Sequence, residues 1–182
     1  MRIIAGKAGR IAIKVPRAVA RPTTDYVRQA IFSMLGDTVF DARVLDLFCG
    51  SGAIGLEALS RGASSCVFVD EHRNSTSTVQ ENLEKARLEG GRVVKSDSLQ
   101  FLKRDPATYD LIFADPPYWK HYGDTDHVKN LLALPALPER LEKGGHFVAE
   151  ISTAQSTPES PVLQLLDRRE YGSSTILVFK HP

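Results

Sequence analysis

The chain has few of the features that mark secreted, metal-binding or membrane proteins. Its 182 residues contain two cysteines, too few for a disulfide framework, and they lack the C-x-x-C spacing of a metal site. No apolar run approaches the ~20 residues that span a bilayer, and residues 1–7 lack the long apolar region of a signal peptide. The five histidines show no metal-ligand spacing. We expect a cytoplasmic protein that requires no metal and contacts no membrane.

Acidic and basic residues are nearly balanced overall but are unevenly distributed. The formal net charge is +1. Residues 1–30 carry seven basic groups and a single acid, Asp25, so the remainder of the chain is net acidic. A basic arm on an acidic body is typical of a protein that binds a polyanion. A solvated basic surface explains the charge alone equally well.

A glycine-rich turn follows the apolar run that ends at Leu47. Gly50 and Gly52 leave room for a ligand to approach the backbone, and Gly55 permits close packing of the following helix on the strand. This strand–loop–helix junction is where α/β sheets bind nucleotides. The pattern G-x-G-x-x-G is weak evidence by itself, so the acids around it decide which ligand it favours.

Apolar runs and helical segments alternate along most of the chain. We predict strands at the runs 43–48, 66–70, 92–95, 109–114 and 146–151, helices at 53–61, 73–89, 98–103 and 125–142, and a final hairpin from 163–169 and 175–180. This alternation favours an α/β fold with a mostly parallel sheet and a C-terminal antiparallel strand. A β-hairpin at 2–5 and 11–15, followed by a helix to about residue 35, precedes it. We therefore divide the chain into an N-terminal extension, 1–36, and a main domain, 37–182.

Three acids lie at or just after the carboxyl ends of three successive predicted strands. Asp46 precedes the glycine loop, where a carboxylate is costly unless a cation such as an amino group binds it, and where it would repel a pyrophosphate. Asp70 has the spacing of an acid that binds the hydroxyls of a ribose, with helix capping as the alternative. Asp97, beside Ser98, is equally suited to bind an adenine amine or to cap the next helix.

The stretch Asp115-Pro116-Pro117-Tyr118 follows the fourth predicted strand of the main domain. The Asp115 carboxylate and the Pro116 carbonyl can both accept hydrogen bonds from one amino group, and Tyr118 offers a ring on which a planar base can stack. Orienting the amine in this way directs its lone pair at an incoming methyl carbon. A proline-rich turn with a core tyrosine is the structural alternative.

Two further features have weaker functional interpretations. Cys49 lies in the glycine loop, where a thiolate nucleophile is conceivable, but a small loop residue is the better interpretation. Trp119 and Lys120 begin an aromatic and basic patch suited to stacking on nucleic acid. The patch could equally be a lid that packs on itself.

These stretches together resemble the RsmD-type family, which methylates a guanine N2 in small-subunit (16S) rRNA with S-adenosylmethionine. The match rests on residues 2–6, on 21–25 with Arg28 and Phe32, on 46–61, and on 115–118. The resemblance implies a Rossmann-like class I methyltransferase fold with a seven-stranded sheet, and an assembling or assembled small ribosomal subunit as partner. The implied site residues are the donor-binding residues Asp46, Phe48, Gly50, Ser51, Gly52, Asp70, Asp97 and Ser98, the guanine-holding residues Asp115, Pro116 and Tyr118, and the RNA contacts Arg2, Lys7, Arg10, Arg21, Arg28, Tyr118, Trp119 and Lys120.

The sequence departs from the family pattern at two positions in the first predicted helix. Tyr26 stands where the family has arginine and Gln29 where it has glutamate, which affects the expected RNA contacts but not the donor site. A methyltransferase acting on adenine N6 or on a protein glutamine amide uses a similar proline turn and is the alternative function. A dehydrogenase is disfavoured by Asp46 and by the lack of a substrate domain, and a non-catalytic RNA-binding module by the intact loop and acids.

Overall fold

A seven-stranded sheet forms the centre of the molecule. The computed structural model describes residues 1–16, 24–117 and 124–182. The sheet order is β3-β2-β1-β4-β5-β7-β6, in which β1 to β5 are parallel neighbours and β7 is antiparallel to β5 and β6. The strands are β1 Arg43–Leu47, β2 Ser65–Asp70, β3 Gly91–Lys95, β4 Tyr109–Ala114, β5 Leu141–Ser152, β6 Gln164–Tyr171 and β7 Ser174–Lys180. The predicted fold class is confirmed.

Six α-helices in the described part of the chain cover the two faces of the sheet. One buried cluster contains side chains of the first three helices, and a second contains side chains of the last three. The helices are α1 Asp25–Leu35, α2 Ala53–Ser60, α3 Arg73–Ala86, α4 Ser98–Arg104, α5 His127–Ala133 and α6 Ala136–Arg140; a 3-10 turn at Gly36–Val39 follows α1. This two-layered covering explains why β1 and β4 are buried almost throughout.

The predicted helix at 125–142 is wrong in its extent, because two short helices replace it. Leu134 has an extended backbone, with ψ of 120°, and Pro135 follows it. The proline ring disfavours a helical conformation for the preceding residue. The helical conformation is therefore interrupted at Leu134 and resumes in α6. The next strand, β5, begins at Leu141 rather than near 146.

The predicted N-terminal hairpin is much shorter than expected. Its two segments pair through one antiparallel bridge, Arg2 with Ala12, supported by a backbone hydrogen bond from Ile3 N to Ile11 O at 3.0 Å. Ile3 and Ile13 are buried in the same cluster as α1 and α2. The N-terminal segment, residues 1–16, is thus held by packing against helices and by hydrogen bonds to Glu57, Ser60 and Asn82, while the division at 36/37 stays a prediction.

Candidate active site

The candidate site lies at the carboxyl ends of β1 and β4. These strands are adjacent and parallel, with Leu47 opposite Ala114. The chain continues from β1 outward to β2 and β3, then returns to β4 on the other side of β1. Ligands of open α/β sheets bind at this kind of switch point. The glycine loop after β1 and the proline turn after β4 therefore meet at one edge.

The glycine loop turns through left-handed backbone and then packs tightly. Phe48 has φ of 58° and Gly52 has φ of 77°. Residues with a Cβ rarely adopt this left-handed backbone conformation. A Cβ added at Gly55 would lie 2.3 Å from Phe68 Cε1. The expectation that Gly55 lets α2 approach the sheet is confirmed, and the loop leads directly into the N-terminus of α2.

Asp46 lies beneath the loop and is 1% exposed. Its Oδ2 accepts a hydrogen bond from Gly55 N at 2.9 Å, which satisfies one of the unpaired amides in the first turn of α2. Burial raises the pKa of Asp46 to about 7, an effect opposed by the Gly55 bond and increased by Asp70. A cation placed beside Asp46 would stabilise its ionised form.

Asp70 connects the glycine loop to the turn that follows β2. Its Oδ2 accepts from Gly50 N at 2.9 Å and its Oδ1 from His72 N at 2.8 Å. The residue at the N-cap of α3 is His72, which makes no side-chain capping bond. Asp70 therefore braces the loop rather than capping the helix directly. An ionised carboxylate has about four acceptor positions, so its predicted contact with a ribose is compatible with these bonds.

Asp97 and Ser98 follow β3 in the predicted order. Asp97 Oδ1 accepts from Gln100 N at 2.9 Å, so the helix-capping interpretation of this residue is confirmed. Its side chain is exposed, whereas Ser98 is buried. The adenine contact stays a prediction.

The proline turn lines a cleft beside α5. Asp115 is half-buried and Pro116 is buried. Pro116 and His127 are among the residues that line the cleft. The half-buried ring of Phe48 lies 5.2 Å from the His127 ring, centroid to centroid, in an edge-on arrangement. His127 therefore packs against the loop side of the cleft. Tyr118, Trp119 and Lys120 lie outside the described residues.

The two thiols are buried and poorly suited to nucleophilic attack. Burial raises the pKa of Cys49 and Cys66 well above the ordinary value, and Asp46 raises both further. The thiolate would have to form beside a carboxylate, in surroundings that disfavour charge. The interpretation of Cys49 as a small loop residue fits this environment. Among the described residues, no three histidine, cysteine, aspartate or glutamate side chains are grouped as metal ligands.

Polar residues that sequence reasoning missed attach the N-terminal segment to α2. The completely buried Glu57 accepts hydrogen bonds from Ile4 N at 2.7 Å and Ala5 N at 3.0 Å. Ser60 Oγ accepts from Ala8 N at 2.9 Å. An acid inside the otherwise apolar α2 is a signal that a buried partner exists, but it does not identify that partner.

Asn82 of α3 links the same segment to the glycine loop. Its Oδ1 accepts from Lys14 N at 2.8 Å, and its Nδ2 donates to Lys14 O at 2.9 Å and Ser51 O at 3.0 Å. Asn82 is 1% exposed. The buried side-chain amide of Asn82 thus joins the N-terminal segment, α3 and the glycine loop.

The predicted RNA-contact arginines and lysine differ in exposure. Lys7 and Arg10 are exposed, and the Arg2 side chain is 65% exposed, although it lies 3.7 Å from Asp25. These three positions are available to a polyanion. Arg21 lies outside the described residues.

The predicted RNA contact of Arg28 is wrong, because its side chain is completely buried and does not reach the surface. Its Nη2 donates to Arg2 O at 2.6 Å and to Asp25 Oδ1 at 2.8 Å. Burial lowers the pKa of Arg28, while Asp25 and Glu57 raise it. The amphipathic pattern of α1 placed Arg28 away from the apolar face, but the N-terminal segment covers that side too.

Comparisons with known proteins match nearly the whole chain. The family described as conserved hypothetical protein 95 matches residues 1–180. The chain is 37% identical to "Putative rRNA methyltransferase YlbH" of Bacillus subtilis, over 99% of this chain and 98% of that protein. It is 38% identical to ribosomal RNA small subunit methyltransferase D of Escherichia coli K12, over 72% of this chain and 66% of that protein. The solved yhhF structure from Escherichia coli superposes with a TM-score of 0.84, at 29% identity over 100% of this chain and 97% of that one.

Proposed function

This chain belongs to the RsmD-type family described as conserved hypothetical protein 95, and on that premise we propose that it methylates the exocyclic N2 of a guanine in small-subunit rRNA. The observation that carries the proposal is the meeting of two stretches at one sheet edge. The glycine loop over buried Asp46 follows β1, and Asp115-Pro116 follows the adjacent β4. Relatives named as rRNA methyltransferases support the choice of rRNA.

The described residues fit S-adenosylmethionine as the methyl donor. Asp46 is a buried acid with a raised pKa, so its ionised form gains from a cationic partner such as the donor's amino group. A pyrophosphate at the same loop would instead face the charges of Asp46 and Asp70. Phe48, Gly50, Ser51 and Gly52 would surround the amino acid part of the donor, Asp70 its ribose, and Asp97 with Ser98 its adenine. The donor supplies an electrophilic methyl group on a positively charged sulfur.

The remaining chemistry belongs to the residues after β4. Asp115 and the Pro116 carbonyl accept the two hydrogens of the guanine amine, which turns the nitrogen lone pair toward the methyl carbon. The oriented amine would accept the methyl group that the bound donor supplies, its N–C bond forming as the donor's S–C bond breaks, and it would then lose one proton to water. Tyr118 stacks on the base, which must be unpaired or flipped out of a helix to reach Asp115 and Pro116. Positioning of this kind supplies several kcal/mol of rate enhancement.

The N-terminal segment is proposed to hold the RNA. Arg2, Lys7 and Arg10 are accessible, and Arg21, Trp119 and Lys120 extend the set by sequence. Met1 of the same segment lies at the glycine loop, with its Sδ 3.8 Å from Ser51 Oγ. Phosphates gripped by this segment would therefore pass close to the donor loop.

The test is Asp115→Ala, compared with the exposed control Asp37→Ala. We expect both variants to bind S-adenosylhomocysteine within about twofold of the unmodified protein by calorimetry. Asp115→Ala should lower methyl transfer to rRNA by roughly 100-fold or more, because the amine is no longer oriented. The proposed mechanism is refuted if Asp115→Ala retains full activity.

The substrate is tested with tritiated donor on naked rRNA, small ribosomal subunits, DNA and a glutamine-bearing protein. Nucleoside analysis of the labelled product should show N2-methylguanosine. Label in N6-methyladenosine or in protein would favour the alternative amine substrates, and label in none of the four would contradict methyl transfer itself.

A further inference from the structure

Tyr26, in the first turn of α1, is an exposed aromatic residue to which no role is assigned above. It is 69% exposed. Its ring lies 5.7 Å from the Tyr171 ring, centroid to centroid, with the two planes at 80°. Tyr171 is half-buried and packs against the cluster that contains α1 and α2. An anchored ring thus holds Tyr26 edge-on, while most of the Tyr26 side chain meets solvent.

The tyrosine pair lies at the same edge of the sheet as the proline turn. Tyr171 ends β6 and pairs with Ser174 of β7, which in turn pairs with Ser152 at the carboxyl end of β5. β5 runs parallel to β4, the strand that leads into the proline turn. Three strand spacings, about 14 Å, separate β6 from β4.

The direction of α1 gives the same placement. Further along the helix, the Phe32 ring lies 5.9 Å from the ring of Phe113, near the end of β4. Tyr26 precedes Phe32 by six residues, which is about 9 Å along a helix axis. Since Tyr26 contacts Tyr171, this distance leads toward the carboxyl edge. Tyr26 therefore stands on the rim of the site, to one side of Asp115.

A positive charge accompanies the exposed ring. Asp25, which precedes Tyr26, interacts with Arg2 at 3.7 Å and with the buried Arg28 at 2.8 Å. The single acid is thus shared by two arginines, and the Arg2 side chain is 65% exposed. An exposed aromatic ring beside a cation is the combination that binds a base and its phosphate in single-stranded nucleic acid.

We propose that Tyr26 is a stacking platform for an unpaired base that flanks the target guanine, an inference that rests on the proposed function. A nucleotide that is flipped out leaves its neighbours without a stacking partner, and the Tyr26 ring supplies one. Because Tyr171 already holds the ring, binding costs little side-chain entropy. Every base has a π-face, so the platform contributes affinity and does not select guanine.

The test removes the aromatic ring and keeps an apolar side chain. Tyr26→Leu lacks a π-face and Tyr26→Phe retains it. Phe40→Leu is the matched control, because Phe40 is 75% exposed and precedes β1 at the opposite edge of the sheet. The RNA is small-subunit rRNA, naked or in reconstituted subunits, whichever the unmodified protein methylates. Filter binding measures its affinity over a range of salt concentrations, and binding of S-adenosylhomocysteine reports folding.

Tyr26→Leu should weaken RNA binding by roughly 5- to 100-fold, the effect of losing one stacked base. Tyr26→Phe and Phe40→Leu should stay within about twofold of the unmodified protein. The slope of log affinity against log salt should not change in Tyr26→Leu, because no phosphate contact is lost.

A second measurement identifies the stacked base. Single abasic nucleotides are introduced at each of the three positions on either side of the methylated guanine. One of them should weaken binding to the unmodified protein about as much as Tyr26→Leu does. The same abasic nucleotide should have little further effect in Tyr26→Leu, because the two changes remove one interaction.

The platform is overturned if Tyr26→Leu binds RNA as tightly as Phe40→Leu, or if Tyr26→Phe is as weak as Tyr26→Leu. If Tyr26→Leu does not fold, an unmodified protein that tolerates every flanking abasic nucleotide still overturns it. Each of these results leaves formation of N2-methylguanosine by the unmodified protein intact. Absence of that product instead overturns the proposed function, and the platform with it.

Discussion

Replacing Asn82 by alanine tests whether the N-terminal segment and the glycine loop are joined as the structure shows. The substitution removes three hydrogen bonds: two to the backbone of Lys14 and one to Ser51 O. A net contribution of about 1 kcal/mol for each bond gives about 3 kcal/mol. Water can replace part of the two bonds at Lys14, which is exposed, whereas the buried Ser51 carbonyl would lose its partner at a cost of about 1–3 kcal/mol. We expect a loss of about 2–3 kcal/mol in the free energy of unfolding.

For a chain of this length, that loss corresponds to a fall in Tm of about 5–10 °C. The measurements are urea denaturation and calorimetry, with Asn74→Ala, an exposed change on the same helix, as the matched control. Limited trypsin digestion gives a local readout, because cleavage after Lys14 should accelerate when the segment opens. A Tm within 1 °C of the Asn74→Ala control, with unchanged cleavage, would refute the proposed linkage.

Three further predictions concern the acid, the packing and the charge of the site. Burial raises the folded-state pKa of Asp46 to about 7, so this group stabilises the fold at low pH and that stabilisation is lost as the pH rises from about 4 to 7. The free energy of unfolding should therefore fall less steeply over this pH range in Asp46→Asn than in the unmodified protein. Equal slopes would contradict this. Gly55→Ala should destabilise the fold by about 2–3 kcal/mol in urea, since its Cβ would lie 2.3 Å from Phe68, and an unchanged midpoint would contradict the packing. If three or four phosphates contact the N-terminal segment, log affinity for rRNA should fall with log salt concentration at a slope of about −2 to −3. The double variant Lys7→Ala with Arg10→Ala should have a shallower slope in filter binding. Equal slopes would exclude an RNA contact at these two residues.

The strands and the glycine loop were predictable because their signals are local. Apolar runs followed by turn residues identified β1 to β5, and Gly50, Gly52 and Gly55 have a fixed spacing that follows from the geometry of the turn itself. The break at Leu134 was also marked locally, by Pro135, but the longer helical pattern around it obscured the signal. The predicted helix boundaries therefore differ from the observed ones where a single residue, here Pro135, interrupts a periodic pattern.

The partners of buried polar groups were not predictable, because they lie far apart in the sequence. Glu57 bonds to the backbone more than 50 residues earlier, and Asn82 bonds to Lys14, 68 residues earlier. The burial of Arg28 has the same origin: α1 alone leaves it outside the apolar stripe, and only the docking of the N-terminal segment covers it. Pattern reasoning sees one element at a time, whereas these contacts depend on how elements meet.

The acids at the sheet edge share a property that bears on how a ligand would bind. Each already accepts a backbone hydrogen bond: Asp46 from Gly55, Asp70 from Gly50, and Asp97 from Gln100. Because a carboxylate has about four acceptor positions, these bonds fix its orientation without exhausting its capacity. A ligand would therefore meet groups whose positions are already set by the protein, which reduces the entropy lost on binding. The structure thus combines a glycine loop without obstructing side chains with three acids whose orientations are fixed by amides of the loop and the helices.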